Sequence, residues 1–370
     1  MNANKGIDMG KSYTNKGNKK KSGQSASNVI SPFSYVTTTE KKGINKADTE
    51  SGPLHTGYFT CRLFIKTPLI IPDASSRIVQ DEHSTFSFME IDGQNLIPGS
   101  SLRGVIRSVY ETLTDSCLVT SRLKAADSEE EKQRLGEVGY DRKGDKGQSA
   151  PESDTVYIPC VDRTQACPAC RLFGMGSAAG SGAVSKVRFT DAILQGTMET
   201  QILTLDELMS PKDKEERKPD RKFYYHHKPK SQSDNEKKQV NSTMEKIEEG
   251  EASFRVYYDG ISDEQRRQLL WTLCLGENKA DGHICHKIGH GKPLGFGSVK
   301  IIVESYTERT YGGSDYVLKS SELLGALRYQ KAFDLNDPND KKMQRLKNML
   351  DFNYVKNNNK TVKYKKDNDK

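Results

Sequence analysis

The chain has 370 residues, 34% of them hydrophobic and 29% charged, with a mean hydropathy of −0.76. Single cores stop growing near about 250–300 residues, so this length allows one large domain or two ordinary ones. No run approaches the roughly 18 apolar residues of a membrane-spanning helix, which excludes that class. The net charge of +7 is unevenly placed: residues 1–28 hold six Lys against one Asp, residues 354–370 six Lys against two Asp, and the rest sums to −2. The ends are thus basic and the middle is not. Residues 1–54 read as a disordered basic extension and 351–370 as a basic tail, either screening nucleic-acid phosphates or simply solvated. Seven cysteines without a secretory h-region argue against a disulfide framework and for a cytoplasmic protein.

In chain order, order is expected from about Gly57. Phe59, Cys61, Leu63 and Ile65 alternate as in a half-buried strand, which the prolines at 68 and 72 end. Thr85–Met89 and Gln94–Ile97 flank Asp92-Gly93, a hairpin signal. A helix capped by Ser100 or Ser101 follows, with Leu102, Val105, Ile106, Val109 and Leu113 on one stripe. Residues 124–155 read as a flexible insertion, Val184–Leu194 as a strand, and 206–251 as a polar insertion. Phe254–Tyr258 resumes strand character. Asp263–Leu275 reads as a helix, Gly295–Val303 as a closing strand and Ser320–Met349 as mostly helical. The pattern is α+β, with long polar insertions.

Cys160, Cys167 and Cys170 bring three thiols into eleven residues. The Cys-x2-Cys step lets two sulfurs meet one tetrahedral ion, which points to a closed, structural zinc site. Cys117 is the first choice for the fourth ligand, with His83 or a histidine of the 283–290 group behind it. Cys61 and Cys274 sit on apolar faces and read as core, and a second metal site at Cys285 is the weaker reading.

The stretch from Gly174 to Gly182 misses the dinucleotide spacing by one residue. The loop Ile288–Gly297 lacks the hydroxyl that follows the Walker lysine, since Pro293 stands there. What remains is a glycine-rich loop, Gly289, His290, Gly291 and Lys292, suited either to a phosphate backbone or to a tight turn. The serine-capped helix offers its N-terminus to an anion, and Arg103 and Arg107 share one face as a possible phosphate clamp.

Three stretches in order carry a family resemblance: Ile97-Pro98-Gly99-Ser100-Ser101-Leu102-Arg103-Gly104-Val105-Ile106-Arg107, then Cys167-Pro168-Ala169-Cys170-Arg171-Leu172-Phe173-Gly174, then Gly289-His290-Gly291-Lys292-Pro293-Leu294-Gly295-Phe296-Gly297. Over about residues 57–303 the chain resembles the RAMP superfamily, and within it the backbone subunits of type III CRISPR effector complexes. The resemblance implies a ferredoxin-like, RNA-recognition-motif-like core within residues 55–350. It also implies a zinc-knuckle insertion at about 117–182 and a thumb-like insertion at about 206–251.

It further implies binding of guide RNA and complementary target RNA, assembly with other RAMP subunits and copies of itself in a filament-like complex, and no membrane. Target cleavage would use an acidic residue with Mg or Mn, acting in the loop between the first strand and the first helix. That loop, Pro72–Ser84, holds Asp73 as first choice and Asp81 as second. The family's glycine-rich lead-in is replaced here by Ile70-Ile71-Pro72. Tyr224 and Tyr225, in a basic surround, would stack on splayed bases. The alternatives are a non-catalytic RNA-binding scaffold subunit and a RAMP endonuclease that processes guide precursors.

Overall fold

The computed structural model describes residues 28–36, 53–80, 83–117, 160, 163–176, 182–196, 199–206, 221–229, 240–309, 315–319 and 332–363. The fold is mixed α+β and rich in sheet. Its centre is β1 (Leu54–Ile65), whose alternation buries Phe59, Cys61, Leu63 and Ile65 on one face. The Asp92-Gly93 turn forms as expected. Its two φ angles are +51° and +76°, the pair of positive values a type I′ hairpin demands. It joins Glu90–Ile91 to β2 (Gln94–Ile97). Then come α1 (Gly99–Leu113), α2 (Pro168–Phe173), β3 (Val187–Phe189), β4 (Ala192–Leu194), β5 (Glu251–Ser262), α3 (Asp263–Cys274), β6 (Ser298–Arg309) and α4 (Lys341–Leu350).

In the main sheet β1 lies between β6 and β5. β5 also pairs with β3 and β4, and β2 pairs with β4; every one of these pairs is antiparallel. Leaving out the short β2 and α2, the core from β1 to β6 runs strand, α1, strand pair, strand, α3, strand. Leu102, Ile106, Val109 and Leu113 of α1 and Leu269, Leu270 and Leu273 of α3 join one buried cluster with the inward residues of β1 and β5. Both helices therefore cover the same sheet face, as amphipathic stripes require.

A second sheet is built from Gln201–Asp206, Val240–Lys246, His83–Phe86 and Ile78–Gln80, in that order. The outer strands of the expected 206–251 insertion thus join the loop that follows β1. Leu69 and Ile247 exchange backbone hydrogen bonds at its root.

Three expectations need correction. The serines do not cap α1. Pro98 precedes its first residue with no side-chain cap, and the Gly99 N–H instead donates to Asp191 Oδ1 at 2.7 Å from the turn between β3 and β4. The proposed end segments are partly built into the fold: Val29–Ile30 pairs in parallel with Thr361–Val362, and Phe33–Val36 pairs with Arg221–Tyr224. Of the helical expectation over Ser320–Met349, residues 320–331 lie outside the described residues, and the described part is helical in α4 and not over 332–340, while Asp315–Lys319 just before it is a strand on β6. The flexible insertion expected at 124–155 lies outside the described residues.

Asp191→Ala should remove the only carboxylate at the start of α1 among the described residues. We expect a loss of about 1 kcal/mol, read as a lower urea midpoint with unchanged slope.

Candidate functional site

The four cysteines converge. Cys117 follows the end of α1, and Cys167 caps α2, whose first helical residue is Pro168. Cys170 follows in the same turn, and Cys160 closes the group. All four sulfurs are buried and lie within 4.8 Å of one another. Cys117 Sγ lies 3.5 Å from Cys170 Sγ and 3.7 Å from Cys167 Sγ. A disulfide needs about 2.05 Å. An ion held tetrahedrally at about 2.3 Å sets its ligands about 3.8 Å apart, so the spacing fits a metal such as zinc.

Backbone N–H groups already point at the sulfurs: Cys167 donates to Cys160 Sγ at 3.3 Å and Cys170 to Cys167 Sγ at 3.5 Å. Hydrogen bonding from Cys117 leads the effects that drive the Cys167 thiol toward thiolate. The other candidate ligands are engaged elsewhere. His83 bonds Thr243 Oγ1 at 2.9 Å, and His286 bonds the Leu273 carbonyl at 3.1 Å. Cys285 is buried at 0% exposure, its thiol pushed up to about 12 by burial, and no second metal cluster exists among the described residues.

Arg103 and Arg107 share one face of α1, but that face meets the knuckle. Arg103 donates to the Phe173 carbonyl. Arg107 donates to Gly174 O at 3.3 Å and pairs with Glu111 at 2.7 Å. They thereby satisfy the carbonyl end of α2, where positive charge is favoured. Behind the knuckle Arg221 donates to the Ser116 carbonyl, and to Cys117 O at 3.3 Å. With Cys160, Cys170 and Phe173, Arg103 and Arg107 line a cavity of about 350 Å³.

A larger cleft, about 540 Å³, gathers the other candidates. Ser100 and Ser101 of α1, Tyr224, and Gly289, His290 and Lys292 of the glycine-rich loop all line it, with Pro72 at the end of the β1 loop. The glycines are demanded by backbone packing. A Cβ at Gly289 would lie 2.3 Å from the Ile70 carbonyl, and one at Gly297 1.9 Å from that of Ile288, both at positive φ. The loop is thereby pinned beneath the end of the β1 segment, and His290 N–H donates to Ile70 O at 2.8 Å.

Several cleft residues carry no sequence motif: Lys287, His226 and His286, and Met349 and Leu350 from α4. The amphipathic stripe of α4 is the signal that could have placed the last two. His226 is held between Ser298 Oγ at 2.9 Å and Cys285 O at 3.2 Å. Burial drives its imidazole well down, and drives that of His286 to about 4, so both are neutral. Burial likewise lowers the Lys287 ammonium to about 7, and it lowers Lys292 and His290 as well. Lys287 Nζ donates to Phe296 O at 2.8 Å.

Asp73 caps the turn Ala74–Ser76, and its Oδ1 accepts from Ser75 N–H at 2.8 Å and from the Ser75 hydroxyl at 2.7 Å. Asp81 lies outside the described residues. Of the two tyrosines expected to stack on bases, Tyr224 lines the cleft and Tyr225 stacks on Tyr354, with ring centroids 5.7 Å apart and planes 15° apart.

The sequence matches the family model of the RAMP superfamily over residues 63–300. The chain belongs to the RAMP superfamily. No curated protein matches it. RAMP membership fits a CRISPR-associated function in general. The matched stretch of this RAMP protein holds α1, the four cysteines, α3 and the glycine-rich loop. Met349 and Leu350 lie beyond it yet complete the cleft wall.

Two outcomes are expected. Cys170→Ser should reduce bound zinc well below one equivalent and lower the melting temperature, read by metal analysis beside thermal unfolding. A phosphate entering beside Lys287 favours its charged form, so at about pH 8, above the free value, binding should take up a proton. Calorimetry in buffers of different ionisation enthalpy reads that uptake, and Lys287→Met should abolish it.

Proposed function

We propose that this RAMP protein binds guide RNA as a backbone subunit of a type III CRISPR ribonucleoprotein, and that it cuts target RNA paired to the guide. The observation that carries the reading is the convergence of α1, the Tyr224 segment and the glycine-rich loop on one cleft. Serine hydroxyls, the Phe223 and Tyr224 rings and three lysines (Lys222, Lys287 and Lys292) there match what a ribose-phosphate chain presents. The strand order β6-β1-β5-β4, with helices between, supports the ferredoxin-like core. In this reading the four-cysteine centre holds a structural zinc, and the second sheet is the root of a thumb-like hairpin. Other RAMP subunits and further copies of the chain extend the filament in the cytoplasm.

Asp73 is the proposed catalytic carboxylate, followed by Asp81. Asp73 stands beside the cleft-lining Pro72, and Oδ1 takes both Ser75 bonds, leaving Oδ2 for Mg or Mn. A bound divalent cation would supply charge stabilisation for a phosphorane. Asp73 would position or deprotonate the target 2′-hydroxyl, whose oxygen attacks the adjacent phosphorus while the P–O5′ bond breaks, leaving a 2′,3′-cyclic phosphate and a 5′-oxygen that takes a proton from water. The Ser75 cap also favours a second reading, a scaffold subunit in which Asp73 only shapes the turn.

The test uses the full chain assembled with guide RNA. Lys287→Ala with Lys292→Ala should weaken guide binding about tenfold or more. Asp73→Ala should lower target cleavage by about 10²-fold or more while guide binding holds. Guide binding with no target cleavage by the unaltered chain supports the scaffold reading, and cleavage that survives both Asp73→Ala and Asp81→Ala moves the catalytic group to another residue. Metal-independent cutting of precursor RNA by the isolated protein would move the assignment to a processing endonuclease, with His290 the cleft imidazole to examine.

A further inference from the structure

The sheet face turned away from α1 and α3 carries its own constellation. In one row across four strands stand Arg188 of β3, Tyr257 of β5, Tyr58 of β1 and Thr307 of β6, as the register pairs them. The two tyrosine rings lie 5.3 Å apart. The Arg188 guanidinium sits 5.1 Å from the Tyr257 centroid, and that of Arg255 sits 5.0 Å from the Tyr58 centroid. Arg255 also reaches the Tyr257 hydroxyl at 3.5 Å. Both arginines are exposed, and both tyrosines are half-buried.

Among the carboxylates near the row, the exposed Asp259 accepts from the Thr56 hydroxyl at 2.7 Å. Glu251 and Glu304 both pair with Arg62, at 3.4 and 2.6 Å. Neither Arg188 nor Arg255 has a carboxylate partner among the described residues. Thr60 and Ser253 stand beside the row, and the exposed Ile193 of β4 pairs with Ser253. The fully buried core of a protein interface is more apolar than its rim. Guanidinium planes laid on aromatic rings, with their outer sides open, instead suit unpaired bases and the phosphates that link them.

We propose that the Arg188–Tyr257–Tyr58–Arg255 ladder is a second RNA-binding site, taking two or so unpaired nucleotides by stacking and phosphate pairing. It rests on the reading that this chain handles RNA, but the site is separate from the cleft. Thr307 lies nine residues beyond Ser298, at the cleft end of β6, which is about 30 Å along a strand. A strand leaving the guide–target path can lie across this face without displacing anything in the cleft.

The test measures binding of fluorescein-labelled oligo(U) RNA to the full chain by anisotropy across a salt series. Arg188→Gln with Arg255→Gln should weaken binding about fivefold or more. It should also flatten the salt slope by about 1.4, since two single-strand phosphate contacts are removed. Tyr58→Leu with Tyr257→Leu should weaken binding with the slope intact, and ultraviolet crosslinking of the unaltered protein should mark Tyr58 or Tyr257. If the tyrosine pair fails to fold, the exposed arginine pair carries the test alone. Unchanged affinity and slope in the arginine variant overturn the proposal. Loss of binding in Lys292→Ala alone would then leave the cleft reading standing. Loss in the ladder variants alone supports this site and tells against the cleft. An arginine variant that binds RNA normally but no longer joins other subunits would reassign the face to protein contact and overturn the proposal.

Discussion

Everything in this molecule hangs on one strand being paired on both edges. β1 runs antiparallel to β5 on one side and β6 on the other, from residue 54 to residue 65. With both edges satisfied, its only freedom is which face is wet, and alternation decides that. The inward residues define the core that α1 and α3 close, and the outward ones define the ladder face. The end of β1 must then bend beneath the glycine-rich loop, because the backbones there come too close for any side chain at Gly289 or Gly297. One pairing constraint thus orients the cleft, the knuckle and the open face together.

Arginine does structural work here that its number in the sequence hides. Arg103, Arg107 and Arg221 all spend their donors on carbonyls around the four-cysteine centre. Arg266 is buried with Glu308 and Asp263, and His55 also reaches Glu308. These fixed cations brace turns and a helix end that no apolar contact could satisfy. Arg188 and Arg255 stand on the open sheet face instead, laid against tyrosine rings, so position and not composition separates framework from surface.

What was legible in the sequence was local. The α1 stripe, the Asp92-Gly93 turn and the cysteine spacing each follow from periodicity or ligand geometry over a few residues. Cys117 is the first choice for the fourth sulfur from the sequence, and the packing of α1 on α2 brings it to the other three. Arg103 and Arg107 were correctly placed on one face, but which partner met that face was a tertiary fact. Pairing of Phe33–Val36 with Arg221–Tyr224 joins segments far apart in the chain, and neither carries a turn signal linking it to the other. Lys300 is similarly opaque: a lysine in a strand reads as solvent-facing, yet it is 1% exposed and donates to the Ile284 carbonyl at 2.9 Å. Legibility failed wherever a polar side chain was satisfied by distant backbone.

The parallel pair that joins Val29–Ile30 to Thr361–Val362 has a consequence for the lysine-rich ends. Thr361 N–H donates to Asn28 O at 2.7 Å, and Lys363 N–H to Ile30 O at 3.0 Å. Residues 1–27 and 364–370 therefore spring from a single anchor on the molecule. Segments at opposite ends of the sequence thus share one point of attachment. A polyanion that met both would be held by local concentration at that anchor rather than by the total charge of +7.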